Sequence, residues 1–203
     1  LTGEAGVFLD PFYSPGSDFI AISNTYICEL IAKDRRGEDF APYTQIYEQL
    51  FGSFYNSTLA LYVDQYDLFG DPEVLPVKVI WDYAYYWGVL CQLFFQRRLT
   101  AVAQLGRLRE ELNRCMQLNA AIQDLLREWS RHSAKRNRAV MLDQASLPWF
   151  ADLNRSLRDT LDDNQFRDRI RDNTRLLERL AREIVERATG EHPALDASAV
   201  LAV

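Results

Sequence analysis

The chain has 203 residues, the size of one domain, with 23 basic against 29 acidic side chains and a net charge of -6. That balance argues against a nucleic-acid partner and against anchoring on anionic lipid. The start, LTGEAGVFLDP, lacks the basic segment of a secretion signal, and the apolar stretch 77–95 is largely aromatic and carries Lys78 and Asp82, so no membrane span is expected. Cys28, Cys91 and Cys115 form neither a disulfide framework nor a CxxC metal pattern, which places the chain in a reducing cytoplasm with no metal site.

Residues 1–8 read as the end of a strand entering a turn at Gly3-Glu4-Ala5-Gly6. The segment DPFYSPGS at 10–17 holds two prolines and a glycine and reads as a loop. A helix is expected over about 18–32, with Ser17 as its N-cap. After a polar break at 36–39, a second helix is expected over about 42–65, a Gly/Pro loop at 68–76, and a third helix over about 77–98. Leu105, Leu108, Leu112, Cys115, Asn119, Ile122, Leu126 and Trp129 alternate steps of three and four, the seam of packed helices. Phe166, Ile170, Asn173, Leu177, Leu180 and Ile184 form a second seam, and Ser146-Leu147-Pro148 reads as a helix start between the two. The tail from Thr189 is Ala-rich and is expected to fray. The fold class is mainly α, divided at 1–34, 35–100, 101–188 and 189–203. The division follows composition: 21 of the 25 aromatic residues lie before residue 101.

The opening motif is the most specific feature. Small residues at Gly3 and Gly6 let the backbone approach a bulky ligand. Glu4 can accept hydrogen bonds from sugar or polyol hydroxyls, and the loop then delivers a helix N-terminus suited to an anion. On spacing alone, an ordinary strand-turn-helix explains the same residues. The segment GEAGVFLDPFYSPGSDFIAISNT, however, resembles the second FAD-binding motif of flavin-dependent halogenases and their monooxygenase relatives, and YEQLFGSFYNSTLALYVDQYDLFGDP and KVIWDYAYYWGVL resemble their helical region. The resemblance covers residues 1–98. It implies the end of a glutathione-reductase-type FAD fold followed by a helical C-terminal domain. The cofactor would be FAD, held by Gly3, Glu4, Gly6, Asp10 and Pro11, with Ser14, Gly16 and Ser17 at the isoalloxazine ring. A flavin reductase would supply reduced flavin, and a flavin hydroperoxide would attack a small aromatic or carrier-bound substrate.

The pattern is incomplete. The Gly-rich GxGxxG loop, the WxWxIP motif and the catalytic lysine of the family are absent, so the chain is expected to be the C-terminal portion of a larger enzyme, inactive alone and partnered by the missing N-terminal FAD-binding segment. Tyr13 stands where tryptophan halogenases carry a catalytic glutamate, and Pro15 cannot donate a backbone N–H to a halide. A halogenase-like oxidoreductase or monooxygenase is therefore favoured over a halogenase, with no catalytic residue assigned. Tyr13, Trp81 and Tyr85 are the candidate substrate contacts, against the plainer reading that the aromatics of 81–87 pack a core. Tyr47, Phe51, Phe54, Tyr55, Tyr62 and Tyr66 form a helical stripe read as core, and Cys28 and Cys91 are read as buried. The Arg-rich run 167–187, interleaved with acids, reads as a salt-bridged solvated face. The rival function is a helical interaction or scaffold module that self-associates and has no catalysis.

Overall fold

The computed structural model describes residues 1–137 and 143–203, and among these residues it is helical without a strand. The strand expected at 1–8 is replaced by a short 3-10 turn at Gly3–Ala5. Gly3 is left-handed (φ 56°), and its carbonyl accepts from Gly6 and Val7 N–H, which satisfies locally the groups a strand would pair outward.

Helix α1 spans Pro15–Arg35. It starts three residues before the expected position because Pro15, with its fixed φ and missing N–H, suits the first helical position. Ser17 thus lies inside the first turn, and the N-cap is Ser14, whose side chain makes no capping bond. At the far end Gly37 is left-handed and Glu38 N–H bonds Lys33 O, closing the helix at the expected polar break. Helix α2 spans Ala41–Leu59 and packs on α1, with Tyr47 stacked on Tyr26 at 4.7 Å. It ends six residues short of the expected 65, in turns that carry Asp64 at φ 54°. In the following loop the buried Asp71 carboxylate accepts from Glu73 and Val74 N–H and from the Ser130 and Ser133 hydroxyls.

The third expected helix is broken. Helix α3 spans Leu75–Tyr85, a π turn covers Tyr86–Leu90, and α4 covers Cys91–Phe95. Asn173 donates to Gly88 O at 2.7 Å inside the π turn. Short α5, Val102–Arg107, takes Leu105 out of the long seam, which runs from Leu108 along α6, Arg109–His132. After α7, Pro148–Arg155, the capped helix α8 spans Asp163–Glu191. The contacts Glu111–Arg171, Cys115–Thr174 and Trp129–Arg187 place α6 and α8 side by side and parallel, whereas Trp81–Asn119, Lys78–Gln123 and Asp71–Ser130 make α3 antiparallel to α6.

The main core draws on both sides of residue 100: Trp81, Tyr85 and Val89 pack with Ile122, Leu126 and Trp129 of α6 and Leu177 and Ile184 of α8. Both expected seams are buried along these helices, Leu112 and Leu180 being only partly enclosed. The tail packs against the bundle. Helix α8 continues to Glu191, Leu195, Ala197 and Val200 are buried in the main core, and α9 (Ser198–Leu201) contacts α6 and α8. Cys91 is buried, but Cys28 is exposed, on the outer side of α1. The Arg-rich face of α8 is ion-paired as expected, through Arg169–Asp159, Arg171–Glu111 and Arg175–Asp172. Helix α8 opens with a capping box: Asp162 accepts from Asn164 and Gln165 N–H, and the Gln165 side chain accepts from Asp162 N–H. Asp162→Ala is expected to lower the unfolding free energy by about 1 kcal/mol, read from the urea midpoint at constant m-value.

Candidate functional site

Three segments bring the site together: the 3-10 turn, the 10–17 loop and the aromatic face of α3 with its π turn. The turn packs on α1, where a Cβ at Gly3 would stand 3.2 Å from Ile20 Cα and from Ser23 Oγ. Glu4 reaches over the first turn of α1, so a Cβ at Gly16 would stand 2.5 Å from Glu4 Oε1. The approach to the Ile20 backbone and the left-handed φ require glycine at position 3, whereas at position 16 a Cβ would displace only the flexible end of Glu4. Gly6 has ordinary room and a right-handed φ, and it is placed by the turn rather than by a close contact.

The loop is shaped by its own side chains. Asp10 Oδ1 accepts Phe12 N–H at 2.8 Å, and with the Tyr66 hydroxyl this holds the Asp10 carboxyl below its usual range. Ser14 N–H closes a turn on Pro11 O, and the Tyr62 hydroxyl donates to Phe12 O. Tyr13 (φ 68°) and Ser14 (φ 56°) are consecutive left-handed residues, a conformation costing about 1–2 kcal/mol each for side chains with a Cβ. Its effect is to turn the Tyr13 ring inward, edge-on to Tyr83 at 5.6 Å and to Tyr62 at 6.5 Å. The Ser14 and Ser17 hydroxyls face outward and make no hydrogen bond among the described residues.

Behind Tyr13 lies a narrow cavity of about 50 Å³, room for one or two waters. Asp18 of α1, Tyr62, and Asp82, Tyr83 and Tyr86 of α3 and the π turn line it. A π turn inside a helix often marks a functional site; this one carries Tyr86, whose hydroxyl donates to Asp18 at 2.8 Å. Burial pushes the Asp18 carboxyl up and the Tyr13, Tyr62 and Tyr86 phenols far above their ordinary value, so the phenols stay protonated.

The Asp82 carboxylate closes the inner end. It interacts with the Tyr13 hydroxyl, pairs with Lys78 Nζ at 2.9 Å, and accepts from Gln123 Nε2 at 2.7 Å. Lys78 also donates to Gln123 Oε1 at 2.6 Å. Burial raises the Asp82 carboxyl and lowers the Lys78 ammonium, so each group is pushed toward its neutral form. Chemically, the arrangement is one uncommitted phenol, Tyr13, beside a buried Lys78–Asp82 pair, with the Tyr62 and Tyr86 hydroxyls bonded to Phe12 O and Asp18.

Of the sequence candidates, Tyr13 and Tyr85 line this cavity. Trp81 does not; it is wholly enclosed, and its indole N–H donates to Asn119 Oδ1 at 2.9 Å. Sequence reasoning misses Asp18, Lys78 and Gln123. The four-residue spacing of Lys78 and Asp82 within an apolar helix is the available signal for the pair. The sequence predicts no metal site. Among the described residues, Glu73, Glu191 and His192 bring ligand atoms within 4.8 Å of one another, with Glu73 already bonded by Ser133 and Glu191 paired with Arg187. No helix among the described residues is long and apolar enough to cross a membrane. No protein-family model, curated protein or solved structure matches the chain.

Proposed function

We propose that the chain forms the substrate-facing helical part of an FAD-dependent oxidoreductase of the halogenase-like or monooxygenase kind, acting on an aromatic or carrier-bound substrate. The observation that carries this reading is the 10–17 loop: two strained residues turn Tyr13 into a polar aromatic cavity at the same point where Gly16 leaves the first turn of α1 open to a carboxylate. Strain held at a ligand-facing loop is a signature of function.

The residues fit the cofactor. The Glu4 carboxylate over Gly16 is an anion standing in a gap that any Cβ would close. The electron-rich edge of a flavin makes the same demand on a helix N-terminus. Gly3, Gly6, Asp10 and Pro11 would shape the approach, Glu4 would accept from the ribityl or ribose hydroxyls, and Ser14, Gly16 and Ser17 would border the ring. When bound, FAD supplies two-electron redox and oxygen chemistry, fed by a separate flavin reductase. The Tyr13 hydroxyl, buried without a hydrogen-bond partner, would meet the polar end of a substrate lying at the mouth of this narrow cavity, while the Tyr62 and Tyr86 hydroxyls, already donated to Phe12 O and Asp18, hold the loop and helix that shape it.

FAD binding tests the proposal, read by flavin fluorescence on this chain and on the longest product of its reading frame. The longest product is expected to bind FAD and quench its fluorescence, and this chain to bind it more weakly. Gly16→Val is expected to weaken binding about tenfold or more, the loss of a charged hydrogen-bonding approach at about 1.5–3 kcal/mol. The fold should accept that variant, because the neighbour it meets is the flexible end of Glu4. Absence of flavin binding in both products would reject the reading. The rival interaction module would then stand, supported by the uncovered row Ile20, Ile27 and Ile31 on α1, each more than a third exposed.

A further inference from the structure

Tyr85 and Leu90 also line a second and larger cavity of about 340 Å³, within the size range of small-molecule sites. Its wall is aliphatic and aromatic, built from Ile22 of α1, Leu50 and Phe54 of α2, Leu93 of α4, Leu105 of α5 and Met116 of α6. Three of the four hydroxyls on that wall have partners: Ser57 and Tyr85 are bonded at 2.6 Å, and Ser53 reaches Met116 Sδ at 3.4 Å, whereas Tyr26 has no hydrogen bond among the described residues. The interior therefore offers a ligand mainly apolar contact, with the Tyr26 hydroxyl as its one uncommitted polar group.

One charged residue lines the cavity, Arg109, at the first position of α6. Asn113 lines it too, one helical turn on, which puts guanidinium and amide on one face. Both side chains are exposed, and neither has a hydrogen bond or ion pair among the described residues. Of the two acids that follow it in the chain, Glu111 is held by Arg171 at 2.9 Å, and neither Glu110 nor Glu111 forms an ion pair with Arg109 among the described residues. A planar guanidinium matches a carboxylate with two parallel donors, and a single positive charge matches a monoanion.

We propose that this cavity binds an amphiphilic monocarboxylate, its apolar chain inside and its carboxylate on Arg109 and Asn113. The site does not depend on flavin binding, and failure of the flavin test leaves it standing.

Calorimetric titration of the chain with sodium decanoate, kept below micelle formation, tests this against decan-1-ol as the uncharged comparator. Decanoate is expected to saturate at one equivalent and to bind about tenfold more tightly than the alcohol. Arg109→Gln should remove that preference and leave the alcohol unchanged. Gly106 lines the cavity, has a φ any residue adopts, and a Cβ there meets nothing within 4 Å, so Gly106→Phe should fold and block both ligands, while Gly106→Ala should block neither. Circular dichroism checks that each variant is folded. The proposal is overturned by non-saturating uptake, by Arg109→Gln that keeps the carboxylate preference, or by a folded Gly106→Phe that binds both ligands like the parent.

Discussion

Lys78→Met is expected to lower the unfolding free energy by about 3–5 kcal/mol at neutral pH, because it leaves a buried carboxylate without its counter-ion. Lys78 is fully buried and Asp82 almost so, and their 2.9 Å contact lies between α3 and α6. Removing the ammonium leaves the carboxylate in the interior with Gln123 and Tyr13 as its polar neighbours. The pH dependence has a definite sign. Burial already raises the Asp82 carboxyl above 3.8, and loss of the adjacent cation raises it further. A carboxyl that binds its proton more tightly when folded contributes stability that is complete below the unfolded pKa and is lost as pH rises through the folded value. The variant should therefore recover toward acid pH and weaken toward neutrality. Adding Asp82→Asn removes the second charge and keeps an acceptor for Gln123, so the double variant should regain most of the loss. Urea midpoints from pH 4 to pH 8 (a range about the ordinary carboxyl pKa of 3.9 and above) read both effects. A single variant as stable as the parent at neutral pH would mean that the pair is not closed off from water.

What the sequence discloses divides along physical lines. The seams of α6 and α8 are legible because burial on one face leaves a period of three and four that no other structure shares, and Ile122, Leu126, Ile170 and Leu177 are all enclosed. The 68–76 loop and the stop at Gly37 are legible from Gly and Pro chemistry. The π turn is not, because Tyr86-Trp87-Gly88-Val89-Leu90 is an ordinary helical string whose extra residue is accommodated by a partner far along the chain, Asn173. The tail misleads for the same reason: its small apolar residues are unremarkable until α6 and α8 offer them a groove. At the candidate site, Tyr13 is visible as a departure in a motif. Asp18 and Gln123 are not, because a lone acid on a helix and a polar residue in a seam acquire meaning only from what faces them.

Trp81 shows how a residue's placement changes its test. Read as a substrate contact, its replacement should alter ligand affinity and spare stability. Enclosed in the core with its N–H on Asn119 Oδ1, it predicts the reverse. Trp81→Ala should cost about 3–5 kcal/mol, through lost burial and the space left between α3 and α6. Trp81→Phe should cost about 1–3 kcal/mol, since Asn119 then keeps only Gln123 Nε2 at 3.3 Å as donor to that oxygen. Tyr13→Phe supplies the contrast. The Tyr13 hydroxyl is buried without a well-aligned hydrogen bond, so its removal should change stability by less than about 1 kcal/mol while altering what the cavity can bind. Urea unfolding followed by circular dichroism, with equal m-values, separates the two residues. If Trp81→Phe were neutral and Tyr13→Phe severe, their assigned roles would have to be exchanged, and the substrate wall would lie on the α6 side of α3 rather than at the loop.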